Sequence, residues 1–351
     1  MKSWRERLAA AAVACVAVWG LPQTVTAEEL VVVATGGGFG NALKKHFYDP
    51  FTAATGIEII MVPAAASEQN AKLRAMRKAG NVEYDVLTTT AMTVISDGDV
   101  YAELDCKRIP NAQAFGVKGT CGAKSLLRTV GAIMIAYEES AFPNGGPQSW
   151  KEFWDVEAFP GRRCLPGGSL ENHMPFLAAL LADGVAPKNL YPIDYGRALK
   201  KLNELKPHVA AYWTSYSQSQ QFLRDGECVL SMMLNGRALS LRKDGFPLKI
   251  VWNEALTYAA GWGIAEGAPN EDAAYKFLDF WMKDPKAHLA FYQTFFYATA
   301  HKDVVGLMNE ADLALYYAKP ENLAGQVPIN AEWIGTHRDE IARTYANFLA
   351  Q

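Results

Sequence analysis

The chain is short of most of the motifs that announce chemistry. Its six histidines (His46, His173, His208, His288, His301 and His337) are scattered rather than paired, and neither HExxH nor GxSxG occurs, so zinc-hydrolase and serine-hydrolase templates find no support. The glycine run Gly36-Gly37-Gly38-Phe39-Gly40 fails the GxGxxG test because Asn41 takes the last position, and no Gly-Lys-Ser/Thr follows it. Basic charge is not in excess: 34 Lys and Arg stand against 37 Asp and Glu, with a formal net charge of −3, which argues against a nucleic-acid footprint. Sequence repeats and low-complexity tracts are missing, so a modular array is not expected. No CxxC or Cys/His cluster at ligand spacing is present, and neither a metal nor a cofactor is expected.

What is present is a large apolar complement. Half of the 351 residues are hydrophobic and a fifth are charged, far from the composition of a chain too polar to bury a core. The length suits two domains of ordinary size. The first 27 residues differ from the rest. Lys2, Arg5 and Arg7 precede the apolar stretch Leu8–Leu21, and Val25-Thr26-Ala27 puts small residues at the −3 and −1 positions of a cleavage site. Basic, apolar and small-x-small in that order is a secretory signal pattern, too short to span a membrane comfortably. Cys15 lacks a Leu-led lipobox, which weakens a lipoprotein reading. With Glu28 as the first exported residue, the remaining 324 carry 31 basic and 36 acidic side chains, and a periplasmic location is expected.

Four cysteines follow the leader, and four allow three pairings. Export favours disulfides over a metal site. Cys106 and Cys121 share a turn-rich stretch with Pro110, Gly116 and Gly119, which makes them the local pair; Cys164 with Cys228 follows by elimination.

Hydrophobic periodicity predicts β-α-β-α-β at the start: a strand at Leu30–Ala34, a helix from Asn41 that stops at Thr55-Gly56, a strand at Ile57–Val62, a helix at Ser67–Gly80 and a strand at Tyr84–Leu87. Such a series builds a parallel sheet with right-handed crossovers. Further strands are predicted at Gly131–Tyr137, after Pro160-Gly161-Arg162, at Cys228–Met233 and at Leu248–Trp252. Helices are expected at Met174–Ala182, Tyr195–Leu205 and Ser217–Arg224, and from Asn270 to the end. Ser149 with Glu152 forms a capping box at the start of a short helix. Trp150 and Trp154, four apart, read as a helix face packed into its lobe, and Tyr316-Tyr317 as core aromatics. Trp213 and Trp262 lie in polar or glycine-rich segments and are candidates for lining a site.

Together these segments resemble the extracellular solute-binding proteins of ABC importers, in particular the spermidine/putrescine-binding branch. The resemblance rests on the leader, on Val31–Phe51 closed by Thr55-Gly56-Ile57, on Tyr84-Asp85-Val86-Leu87, on Ser149-Trp150-x-x-x-Trp154 with Phe159-Pro160-Gly161, on Gly226–Leu230 through Asn235-Gly236, and on Gly261–Ala265 with Ala273–Trp281. It covers nearly all of the chain beyond the leader. It implies an α/β, two-lobed, type II periplasmic-binding fold with a ligand cleft between lobes. It also implies a function without catalysis: capture of a small solute, polyamine-like by family, and delivery to permease subunits in the membrane by a protein expected to be monomeric. The implied division is 28–136 and 261–305 in the first lobe and 137–260 in the second, with 306–351 returning to the second and crossovers near Ala136 and Ala260.

Carried over by position, the cleft comprises Thr35, Phe39, Thr89, Glu171, Trp213, Tyr216, Asn235, Arg237, Tyr258, Trp262 and Tyr297. Two departures matter. Polyamine binders set several carboxylates against ammonium groups, whereas Glu171 alone stands in this cleft; the carboxylate expected on the return strand falls on Gly261, and an aromatic expected beside Asn235 falls on Leu234. A dication with one partner would leave a desolvated charge costing several kcal/mol. Arg128, Arg237 and the threonine and glycine N–H groups suit an anion or an amino-acid-derived solute, which is the alternative. A secreted enzyme is the competitor from another class, and it would need a clustered catalytic set.

Overall fold

The structure is a computed structural model that describes residues 28–64, 66–168 and 171–351. The leader 1–27, with Cys15, lies outside the described residues. The β-branched runs form the strands their periodicity predicts. Strand β1 (Glu29–Ala34) pairs in parallel with β2 (Glu58–Pro63) on one side and β3 (Val86–Thr90) on the other. Helical segments between Gly37 and Thr55 end at Gly56, whose φ of 76° supplies the left-handed cap. The third strand begins later than Tyr84, because Asp85 acts as a stitch ahead of it. Its buried carboxylate accepts the N–H groups of Val31 at 2.8 Å and Asn270 at 2.9 Å.

Two strands are much longer than their apolar runs. β4 spans Leu126–Glu138. β8, the last of the long strands, spans Leu248–Ile264 and runs antiparallel to it from Trp262 opposite Leu126 to Leu248 opposite Glu138. Polar and glycine residues at their ends hide this extent from periodicity, but they are what makes the pairing possible. A Cβ on Gly261 would stand 2.7 Å from the Leu126 carbonyl oxygen and the same distance from the Thr89 hydroxyl. Partway along, the register slips between Ile133 and Ile135, and several β8 residues including Glu254 (φ 56°) bulge out. Glu254 there takes the backbone N–H of Trp150 at 2.7 Å on its carboxylate and the Trp150 indole N–H at 2.9 Å on its carbonyl.

The Trp150–Trp154 helix is capped by the Ser149 hydroxyl as expected, but the reciprocal bond of the box goes elsewhere: Glu152 accepts the N–H of Gln148. Beyond β4 lie β5 (Arg163–Pro166), β6 (Val209–Trp213) and β7 (Leu230–Leu234), and a short β9 (Ala298–Thr299) pairs with β4. The sheet order is β2-β1-β3-β8-β4-β7-β5-β6, with β4 and β8 as its two central strands.

The core divides accordingly. Phe47, Phe51, Leu126, Trp262, Phe277 and Trp281 belong to one cluster, with Phe47 and Trp281 stacked at 3.8 Å. Ile133, Ala136, Trp150, Phe176, Trp213 and Met232 belong to another, which also takes Ile334, Ile341, Tyr345 and Phe348 from the C-terminal helices. Tyr316 and Tyr317 are buried in a third, beside Tyr292 and Met134. Cys106 bonds to Cys121 and Cys164 to Cys228, with Cα separations of 6.0 and 5.9 Å, the pairing read from the sequence. The fold is α/β and two-lobed.

Candidate binding cleft

A cavity of about 680 Å³ opens where the ends of strands from both lobes meet, the position open α/β sheets reserve for ligands. From the first lobe come Thr35 and Gly36 after β1, and Thr88 and Thr90 on β3. From the second come Glu171 to His173, Ser215 to Ser217 and Arg237, while Tyr258 of β8 and the C-terminal residues Gly335 and Arg338 complete the wall.

Arg128 dominates the first-lobe side. It is 4% exposed, its Nη1 donates to the Thr88 hydroxyl at 3.2 Å, and its Nε has no partner. Trp262 and Phe39 hold the guanidinium from their ring faces, with centroids at 4.4 and 5.1 Å, a cation–π setting. Burial lowers its pKa to about 10, which still leaves it charged at neutral pH. Among the described residues it makes no ion pair. A buried cation without a counter-ion is costly, and the cavity is where an anion would relieve that cost.

The second-lobe side carries the acid. Glu171 sits in the left-handed region at φ 54°, a conformation that costs an L-residue about 1 kcal/mol or more. The Tyr216 hydroxyl donates to its carboxylate at 2.8 Å. Burial pushes the Glu171 carboxyl up to about 7, the Tyr216 hydrogen bond opposing it. Burial likewise raises the Tyr216 and Tyr258 hydroxyls, with the Glu171 charge adding to both. Arg237 lies over the Tyr216 ring at 5.9 Å, and its positive charge opposes the burial that raises the Tyr297 hydroxyl. His173, which no motif singled out, lines the cavity with burial lowering its pKa to about 4, so it is a neutral imidazole.

Of the positions carried over from the sequence, Thr35, Glu171, Tyr216, Arg237 and Tyr258 face the cavity. The others stand behind its wall. Thr89 alternates with its neighbours on β3 and bonds to Ser125, leaving Thr88 and Thr90 on the open side. Phe39 and Trp262 support Arg128. Trp213 is fully buried, donates its indole N–H to the Met232 carbonyl at 2.9 Å and backs Tyr216. The polar flank of Trp213 and the glycine flank of Trp262 made both candidates for lining the site; both rings are instead buried. Asn235 joins the lobes, accepting the N–H of Ala132 at 3.0 Å and donating to the Phe296 carbonyl at 2.9 Å. Tyr297 packs where a Cβ on Gly131 or Gly236 would strike it. The sequence reading missed the C-terminal part of the wall, Ile334 to Ala342; nothing in its local pattern differs from an ordinary amphipathic helix.

Among the described residues no cluster of three or more His, Cys, Asp or Glu could hold a metal ion, and no helix is long and apolar enough to cross a membrane. The cleft offers paired recognition instead, a cation on one wall and a titratable acid on the other, with tyrosine and threonine hydroxyls between them.

Residues 46–319 match the family model described as bacterial extracellular solute-binding protein. The chain is 30% identical over 334 residues to a γ-aminobutyric acid-binding protein of Pseudomonas aeruginosa, covering 92% of each. It is 27% identical over 155 residues to the spermidine/putrescine-binding periplasmic protein of Escherichia coli, which is 44% of this chain and 43% of that one. Among solved structures, an ABC transporter substrate-binding protein from Bradyrhizobium japonicum superposes with a TM-score of 0.82 at 30% identity, covering 92% of this chain and 99% of that chain. A two-lobed fold, a cleft at its strand ends and relatives that are binding proteins rather than enzymes lead to one conclusion: this chain belongs to the bacterial extracellular solute-binding protein family, as the substrate-binding component of an ABC importer.

Proposed function

We propose that the solute is a small zwitterion of the amino-acid type, with γ-aminobutyrate as the first candidate, and that the chain is exported by cleavage after Ala27. The carrying observation is the unpaired, buried Arg128 facing the cavity. A carboxylate would dock on Arg128, with the Thr88 and Thr90 hydroxyls beside it, and an ammonium group on Glu171 between Tyr216 and Tyr258. Charge-assisted hydrogen bonds of this kind are the strong ones. The relative named for γ-aminobutyric acid, similar over 92% of its length, supports this choice.

A polyamine fits less well. The lining holds one buried carboxylate, Glu171, and one exposed one, Asp339, so a second ammonium would face Arg128 across a desolvated cleft. In this reading the lobes cross over in β4 near Gly131 and in β8 near Thr257, supported by the change of core cluster there, with 306–351 in the second lobe. Closure about these strands would enclose the solute and shape the surface offered to the permease.

The test is calorimetric titration and thermal shift of the exported protein with γ-aminobutyrate, putrescine, spermidine and a simple carboxylate. A ligand at a hundred times its Kd adds about 2.7 kcal/mol of stability. A shift with γ-aminobutyrate and none with the diamines is expected. Stabilisation by putrescine or spermidine alone would reverse the assignment.

A further inference from the structure

The C-terminal helices reach across the cleft. The helix Arg338–Ala350 is rooted in the second-lobe core through Ile341, Tyr345 and Phe348, and the Tyr345 hydroxyl donates to the Pro166 carbonyl of β5. The preceding helix, Ala331–Thr336, packs on the helix Ala91–Ser96, which follows β3 in the first lobe. Two features of this contact are independent of each other. Arg338 donates to the Asp97 carboxylate at 2.7 Å, and that carboxylate is 6% exposed and already held by Arg74 at 2.8 Å and the Ser96 hydroxyl at 3.0 Å. Gly335 is not at positive φ, so its lack of a side chain answers a need for space. A Cβ there would stand 2.8 Å from the Ile95 Cβ and 2.9 Å from the Met92 carbonyl oxygen.

We infer that Arg338 and Gly335 form an interlobe latch, positioning residues that hold the cleft shut and so set how long the solute stays. The helix Ala331–Thr336 is the moving jaw and Asp97, fixed by Arg74, is the strike plate. Opening the lobes about β4 and β8 would part both contacts, because Ile341, Tyr345 and Phe348 root the C-terminal helix in the second-lobe cluster while Val94 of the helix Ala91–Ser96 packs with Leu73 and Tyr101. An ion pair with one nearly buried partner weakens with salt less than a surface pair does, and its loss acts on release more than on capture.

Small-angle X-ray scattering of the unliganded exported chain tests the latch without reference to the solute. Arg338→Ala and Gly335→Ala are each expected to raise the radius of gyration, and Arg338→Lys to restore it in part. Thermal melting of each variant checks that it is folded; Arg338 is half-exposed and Asp97 keeps Arg74 without it. An unchanged curve in both alanine variants overturns the latch.

A kinetic arm rests on the solute reading above. With γ-aminobutyrate, Arg338→Ala and Asp97→Asn are each expected to speed release about three- to tenfold with capture nearly unchanged, and the double variant to be no worse than either single one. Arg338 also lines the cavity, whereas Asp97 is not among the lining residues. Additive losses would therefore make Arg338 a direct solute contact and overturn the latch. If γ-aminobutyrate does not bind the wild type, the solute reading fails and the scattering result alone decides the latch.

Discussion

The two walls of the cleft present opposite charge by opposite means. On the first-lobe side, Arg128 is clamped by Trp262 and Phe39, both anchored in a close-packed aromatic core. Its charge is permanent and its position is set by rings that cannot move without disturbing the sheet. On the second-lobe side, Glu171 sits on a loop in a strained conformation, with a pKa raised to about 7 by burial. Its charge is conditional and its position depends on one tyrosine. On the proposed reading, the rigid cation would take the carboxylate end of a solute at neutral pH, and the tunable acid would take the ammonium end only when Glu171 ionises.

The largest expected effect comes from the rigid wall. Arg128→Met should lower affinity by roughly a hundredfold or more, since truncating one partner of a buried charge pair costs about 2–5 kcal/mol. The same variant should melt at an equal or higher temperature, because it removes a desolvated charge that has a single protein hydrogen bond. Calorimetry and thermal melting together check this opposition of signs, and a large loss of stability would make Arg128 a structural residue.

The lobes differ next in how they are stapled. Cys164–Cys228 closes 64 residues within the second lobe and Cys106–Cys121 closes 15 in the first. Loop entropy then gives about 4 kcal/mol for the first bond and about 3 kcal/mol for the second. Paired Cys→Ala variants compared by urea melts should follow that order.

On the acid wall, Glu171→Gln should weaken an amine-bearing solute about ten- to thirtyfold while leaving a plain carboxylate nearly unaffected. Equal losses for both solutes would break the division of labour between the walls. The smallest effect is pH dependence. Binding an ammonium requires the carboxylate, so affinity should fall as pH drops below about 7, by up to tenfold per unit, and the dependence should vanish in Glu171→Gln. Stability of the empty protein moves the other way. A carboxyl kept protonated in the fold but ionised in the unfolded chain stabilises below the ordinary value of 4.5, and that contribution is lost as pH rises through about 7.

Much of the fold was legible. The helices Met174–Ala182 and Tyr195–Leu205 fall where periodicity put them, because their apolar faces and flanking turn residues are local facts. The disulfides were readable from turn content and export. Strands β4 and β8 were only half visible, since Arg128, Thr129, Gly261 and Gly263 interrupt the apolar pattern while serving the pairing. The site was read less well. Trp213 and Trp262, candidates for lining the cleft, lie buried behind its wall, and Arg128, noted as suited to an anion, lies buried on it. A ring that backs a charged group and a ring that touches a solute have the same neighbours in sequence.

By itself the sequence determined an α/β chain, many of its elements, its cysteine pairs and its family, because these follow from composition, short-range periodicity and motif order. Only the tertiary structure decided which side of each strand faces the cleft, that Arg128 has no counter-ion among the described residues, and that Ile334 to Ala342 complete the wall beside Asp97. Those properties arise from contacts between residues as far apart as Arg338 and Asp97, separated by 241 positions. Charge pairing and burial are properties of the assembled neighbourhood, which no local pattern records.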